Sequence, residues 1–525
     1  MSKTLNNNLM GGGGTSTQSN SIEERSSSFS GYSLTTSAQT VVGAINELKE
    51  KYSNLDLESL CAYGVEKDIT EPTPDWKRIG SYDLHRTLPV HSQMRGVLLS
   101  DDGKVNKYLD ADDWTKEIRD GSQGQVMTEI TQNGYYRKFE TEGNIFRAMI
   151  SLVPLNGYHY VPVKYVGYEA ALDRTDPDKF KLSSVVNETA DFRGGYGTPG
   201  NDTFNAMSGW DGTERTQIGR PVTYLSRTKF REYARNRNNG DVRWNCYTYD
   251  IALDLFWLFV IEYATSNTQK AFNAEKDSNG FAQGGLGNGV TNLGYDQWRA
   301  FFDPEQGRDY WRYPVVPCGY TDELGNGTGI VDYSIENFPK TVSKDEGGNI
   351  TGVTDTETKT VSVPRYRGIE NPFGHIWKWT DGCNIFHCPD SSYSGSTTAT
   401  TYDISYAWAT ENPSIFTDTI TETGSTGYRL ITDKLVREAG KWVTKIVLGE
   451  YGDILPIEVA SSGSSTTYYC DQHWTNNPIG QGGARGLLLG GSGNRGANAG
   501  LVSSSASSAP AYAYSPVGSR LCFLK

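Results

Sequence analysis

The chain has little of what most directly declares a function. Its most apolar run, Ile251 to Val260, is too short to cross a bilayer and carries Asp254 inside it. Positive charge is in deficit, with 49 Lys and Arg against 62 Asp and Glu, so no general basic face is offered to a nucleic-acid backbone. The seven cysteines are scattered and odd in number, which fits buried thiols of a protein made in a reducing cytoplasm better than a secreted disulfide framework. The opening MSKTLNNNLMGGGG has no apolar core after its lysine and does not read as a secretory signal. A Gly-x-x-x-x-Gly-Lys-Ser/Thr phosphate loop is missing, and the glycines between Gly284 and Gly289 lack the preceding strand and following helix of a dinucleotide site. These absences argue against membrane insertion, nucleic-acid binding and nucleotide chemistry.

What is abundant is glycine and tyrosine, 58 and 32 residues, with aromatics at 12%. That mixture predicts turn-rich β structure whose tyrosines lie half in and half out of a core. The length of 525 residues allows several domains. Residues 1–32 are Ser, Asn, Thr and Gly with too little apolar content to fold alone, and read as a flexible tether or particle-docking peptide. Residues 33–60 contain Ala38, Val41, Ile45, Leu48, Tyr52 and Leu55 at alternating spacings of three and four, the seam of a short heptad helix. A seam this short is marginal alone; it is either one amphipathic helix packed on its own domain or the neck of a homo-oligomer, and the neck is the expectation taken here.

A β-rich connector is expected over 61–144, with a hairpin signal at Asp102-Gly103. The acids Asp101, Asp102, Asp110, Asp112 and Asp113 cluster there, but their spacing matches no EF-hand loop, so turn-forming surface acids are expected. Residues 145–525 read as one larger domain. In it Ser226 to Asn239 suggests a solvent-facing helix with a Ser cap. Tyr249 to Thr265, apolar nearly all round, suggests a buried one. Residues 321–363 are polar with alternating Val and Ile and predict an inserted β-hairpin, and Phe373, Trp377 and Trp379 follow as core anchors.

Two resemblances add to this. Leu34-Thr35-Thr36 followed by Thr40 to Leu48, with its Ala44-Ile45-Asn46-Glu47-Leu48, resembles a helix near the N-terminus of bacteriophage tail-fibre and other virion fibre proteins. Over about fifteen residues this resemblance implies a trimeric virion appendage. From 145 to the end, the order of elements resembles the C-type-lectin-fold proteins of the formylglycine-generating and phage tropism-determinant group: a helix opened by Ser226-Arg227, the Phe256-Trp257 helix, Gly374 to Gly382, Gly490-Gly491-Ser492 and Gly518-x-Arg520. That resemblance implies an α+β head whose C-terminal segment presents a ligand-binding surface. Carried over position by position, Gly490, Gly491, Gly496, Gly500, Gly518 and Arg520 would be scaffold. Asn494, Arg495, Asn498, Ser503, Ser504, Ser505, Ser507, Ser508, Tyr512 and Tyr514 would face the ligand, with Tyr512 and Tyr514 as its rigid anchors.

Enzymatic chemistry finds weaker footing. The metal-holding cysteine pair of the formylglycine-generating enzymes has no counterpart, since Cys470 and Cys522 are about fifty residues apart in sequence. His375, Cys383, His387 and Cys388 include zinc-ligand types without zinc-site spacing, and neighbours on a strand face opposite ways. Glu411-Asn412-Pro413 has the letters of a calcium-dependent sugar motif in the wrong order. The expectation is therefore an α+β protein with tether, trimeric coiled-coil neck, β-rich connector and C-type-lectin-like head, made in a bacterial cytoplasm and carried on a virion. It has no catalytic residue, metal or cofactor. Its expected partners are its own copies in a homotrimer, other virion proteins at the tether, and a host surface protein or glycan at the head. The alternatives are a metal- and oxygen-dependent sulfatase-modifying type of enzyme and a structural virion protein without a receptor.

Overall fold

The computed structural model describes residues 56–195, 199, 215–305, 311–388, 404–475 and 482–525. The tether and the neck positions Ala38, Val41, Ile45, Leu48, Tyr52 and Leu55 lie outside them. From Glu58 onward the chain forms one compact unit.

The architecture is mostly β, which corrects the expected α+β class. Among the described residues there are five α-helices, the longest of fifteen residues, and no coiled-coil neck. The short helix Leu57–Cys61 runs directly into the strand Ala62–Asp68. The physical reason lies in the composition that suggested β structure at the outset: Thr, Tyr, Trp and Val spread along the chain pair into ladders, and glycine turns interrupt what would otherwise extend into helices.

A five-stranded antiparallel sheet takes its strands from between Ala62 and Val161. A six-stranded sheet joins Arg95–Leu99 and Gln125–Glu129 to Lys164–Glu169 and, at the far end of the sequence, Arg520–Leu524. Strands expected in a connector thus share a sheet with the last strand of the expected head. The hairpin Arg95–Leu99 with Val105–Tyr108 turns at Gly103, whose φ of 83° suits glycine. A long hairpin of Gly329–Lys344 and Ile350–Tyr366 occupies most of the region read as an insertion.

The helix Tyr249–Tyr263 is buried at every position. Thr248 caps its start by accepting from the Ile251 amide, and Ala264 ends it in the left-handed region at φ 51°. Trp257 meets Trp76 edge-on at 5.7 Å and Phe146 at 5.4 Å. Asp250 and Asp254, one helical turn apart, share a face, and that face meets cations: Lys164 lies 2.6 Å and Arg137 2.7 Å from Asp254, while the Tyr135 hydroxyl donates to it at 2.9 Å.

The helix Arg227–Arg235 does not face solvent as expected. Ser226 caps it, but Arg227, Phe230, Arg231, Tyr233 and Ala234 are buried. The guanidiniums explain the misreading: Arg231 holds both oxygens of Asp381 at 2.5 and 3.0 Å, and Arg227 donates to Asp418 and to the Cys383 carbonyl, both at 2.8 Å. Charge that would ordinarily mark a wet face is here neutralised inside.

Candidate functional site

The site is built on one face of the nine-stranded sheet. Trp377–His387 and Gly483–Leu489 run antiparallel with Trp379 opposite Leu488. Leu488 is in turn opposite Ser505, and Ser505 is in register with Trp474 on the strand Gln472–Trp474. Because side chains alternate across a strand, this row of four points to one side, and Trp377, two residues before Trp379, joins it. The neighbouring row, Lys378, Leu489, Ser504 and His473, points the other way. There Lys378 meets Glu169 at 2.9 Å, and His473 Nδ1 and the Ser504 hydroxyl share a hydrogen bond of 2.9 Å.

Glycine lets the strands approach. A Cβ on Gly486 would stand 2.6 Å from the Trp379 ring, and one on Gly500 would stand 2.1 Å from an oxygen of Asp471. Gly490 and Gly491, at φ 95° and 73°, turn the chain, and the Gly490 amide donates to the Ser503 carbonyl at 2.8 Å. Arg520 is fully buried and donates to the Gly167 carbonyl at 2.9 Å and the Asn371 carbonyl at 2.5 Å.

Above the row lies a cleft of about 620 Å³. Its floor is Trp377, Trp379, Trp474 and Leu488; Arg312, Arg485 and Arg495 stand around it, and Ser505, Ser507, Ser508, Tyr512 and Tyr514 complete it. Among the described residues no Asp or Glu lines it. The Arg495 guanidinium lies 4.0 Å from the centre of the Trp474 ring, and Trp474 meets Trp377 edge-on at 5.7 Å. Burial, and then the neighbouring charge of Arg312, holds Arg495 below the usual arginine range, at about 10. Burial lowers Arg485 as well, with Arg437 adding to it. Tyr512 is half exposed and rests against Tyr514 at 5.1 Å, the two rings tilted by 32°.

Six of the ten residues named as ligand-facing meet at this cleft: Arg495, Ser505, Ser507, Ser508, Tyr512 and Tyr514. Ser504, expected to face the ligand, is buried and points to the opposite side of the sheet, because it alternates with Ser505 on the same strand. Ser503 does not face out; it is fully buried, its carbonyl taken up in the turn with Gly490. Ser505 reaches the cleft but is only 8% exposed, because it is a rung of the ladder and not part of a surface loop. Asn494 and Asn498 do not line the cleft; Asn494 accepts from the Ser492 hydroxyl at 3.0 Å and the Asn498 amide donates to the Arg495 carbonyl at 3.1 Å. The sequence reading missed Trp474, Arg312 and Arg485, and took Trp377 and Trp379 for core alone. Their i, i+2 spacing on a strand was the available signal that both face one side.

The other candidate constellations are committed to structural bonds. His387 donates from Nε2 to the Ala506 carbonyl at 3.0 Å and accepts at Nδ1 from Ser405 at 2.5 Å. His375 accepts the amides of Val315 and Val316, both at 3.2 Å, and donates to Glu169 at 2.5 Å. Among the described residues no group of three or more His, Cys, Asp or Glu is placed to hold a metal ion. The acids of 101–113 serve turns and ion pairs: Asp110 accepts the amides of Asp112 and Asp113, both at 3.0 Å, Asp113 caps a short 3-10 turn, and Asp101 pairs with Arg237 at 2.7 Å. No helix among the described residues is long and apolar enough to cross a membrane. No protein-family model and no curated protein matches the chain.

Proposed function

We propose that this chain is a recognition protein, a fibre component of a bacteriophage virion that holds a host surface molecule in the cleft of its C-terminal segment without reacting with it. The observation that carries the reading is convergence. Residues 495–514, tryptophans from two other strands and Arg312 meet at one concave site of about 620 Å³, within the usual size of small-ligand clefts. Aromatic rings and arginines are the side chains that dominate binding energy elsewhere. Among the described residues no Cys, His, Asp or Glu lines the cleft. The virion assignment is supported by the N-terminal fibre-protein resemblance.

The test is adsorption of particles carrying the chain to their host cells, with Tyr512 and Tyr514 both changed to Ala. Recognition through this cleft predicts at least a tenfold slower adsorption at unchanged particle assembly. Adsorption equal to that of the unaltered particle would refute it.

A further inference from the structure

The cleft gathers three arginines on a chain whose formal net charge is −13. Three guanidiniums stand around one aromatic floor, and among the described residues no carboxylate lines it. A cleft with low-dielectric walls concentrates such a field, so an anion is drawn in and a cation is repelled. The Arg495 guanidinium lies over the Trp474 ring at 4.0 Å, a contact that restrains it and reduces the entropy lost when an acceptor arrives. Its Nε is buried with no hydrogen-bond partner among the described residues, which leaves the guanidinium less than fully paired.

The rest of the lining selects within anions. The open face of Tyr512, half exposed and backed by Tyr514, is a platform for a ring with an apolar face. The serines of residues 505–508 offer short hydroxyls that both donate and accept. A pyranose has both properties: C–H bonds on one face and hydroxyls around its rim. A concave cleft of about 620 Å³ suits one to a few such rings better than the flat patch a protein partner would need.

We infer that the ligand of this cleft is an acidic saccharide, a sugar bearing a carboxylate or a phosphate that is received by Arg495, Arg312 and Arg485 while its ring stacks on Tyr512. This rests on the reading of the cleft as a recognition site and names the chemistry that it takes.

The experiment is titration of the full-length protein, followed by tryptophan fluorescence, with glucuronic acid, glucose 6-phosphate and glucose in parallel at low and high salt. The tryptophans of the cleft floor make binding visible directly. Saturable quenching by at least one of the acids, at least tenfold tighter than by glucose and weakened by salt, is expected. The acid that binds tells carboxylate from phosphate. Arg495→Gln should reduce the acid's affinity to that of glucose, and Arg485→Gln, a less buried change, should weaken it several-fold if Arg495→Gln proves unfolded by circular dichroism. Glucose binding as tightly as the acids, acid binding indifferent to these substitutions in folded protein, or no saturation by either acid up to about 50 mM would each overturn the inference. If the acids fail while the double tyrosine variant still loses adsorption, the cleft recognises something other than an acidic sugar and the proposed function stands. If adsorption is also unchanged, both fall.

Discussion

Arg495 and Trp474 lie in a stacked pair, guanidinium carbon 4.0 Å from the ring centre, although they sit on different segments of the chain and Trp474 belongs to a strand. The strand Ser504–Ser505 joins them structurally, pairing with Gln472–Trp474 shortly after the chain leaves Arg495. The pair couples the aromatic floor to the charged rim, because a strand residue backs the Arg495 guanidinium.

Arg495→Ala separates the two roles of this residue. Stacking of a partly desolvated arginine on tryptophan contributes about 0.5–2 kcal/mol, and the same change removes an unsatisfied buried donor, which offsets part of the loss. A thermal unfolding midpoint lowered by no more than a few degrees is expected. A collapse of the fold would show that Arg495 is scaffold in place of a ligand-facing group.

Tyr512→Ala and Tyr514→Ala should differ. Tyr512 is half exposed, so its loss should leave stability within about 0.5 kcal/mol. Tyr514 packs against the core cluster that contains Trp377 and Trp379, so its loss should cost about 1–3 kcal/mol. Urea denaturation of both single variants checks this ordering; equal stabilities would mean that Tyr514 is not anchored in the sheet.

Gly486→Ala tests the closeness of the two strands beneath the cleft. The added methyl would lie 2.6 Å from the Trp379 ring, which is itself 1% exposed and donates from its indole nitrogen to the Leu225 carbonyl at 3.2 Å. The ring has nowhere to retreat without breaking that bond, so overpacking of about 1–3 kcal/mol is expected. Urea denaturation measures it, and a changed near-ultraviolet tryptophan signal should accompany it. A neutral outcome would mean that the strands can separate at little cost.

The parts of this fold that were legible in the sequence are those whose signal is local. The buried helix announces itself because Tyr249 to Tyr263 is apolar nearly all round, and the turn at Gly103 because Asp-Gly sits between alternating residues. What was not legible depends on partners distant in sequence. Arg520 pairs with Glu169 across the six-stranded sheet, and neither residue predicts the other. The strand Ser504–Ser505 gave no apolar period because its neighbours Leu488, Leu489, His473 and Trp474 supply the bulk that serine lacks. A segment of small residues therefore read as display when half of it is ladder. The candidate site was legible for the tyrosines and Arg495 through resemblance, but not for Arg312, Arg485 or Trp474, which reach the cleft only through sheet register and chain folding.

Asp471 makes the stability of the fold depend on pH. This carboxylate is buried beneath the turn at Gly500, and it accepts the Val502 amide at 2.9 Å. Burial pushes its pKa up to about 8, against the opposing pull of the Val502 and Ser503 amides. An unfolded Asp releases its proton near pH 3.9. Between these values the folded chain keeps a proton that the unfolded chain has lost, so stability falls as pH rises, by up to about 1.4 kcal/mol per pH unit from this group. Glu370, raised to about 7 by burial and then by the charge of Asp322, acts with the same sign over the lower part of the window. The buried histidines His85, His91 and His473, lowered to about 4 by burial, act with the opposite sign, but only below about pH 6.5, where the unfolded chain takes up their protons. Across pH 6.5 to 8 Glu370 still titrates, and Lys67 and Lys378, lowered to about 8 by burial, act with the opposite sign toward the top of that range, so the Asp471 contribution is the difference between the chain and a variant that lacks the carboxyl. Asp471→Asn retains an oxygen to accept the Val502 amide and removes the titration. The variant's unfolding free energy should decline less, or rise more, with pH across that window than that of the unaltered chain, and the variant should be the more stable protein at pH 8. Urea midpoints at pH 6.5, 7.25 and 8 for both proteins measure the two slopes, and parallel slopes would place the Asp471 proton elsewhere.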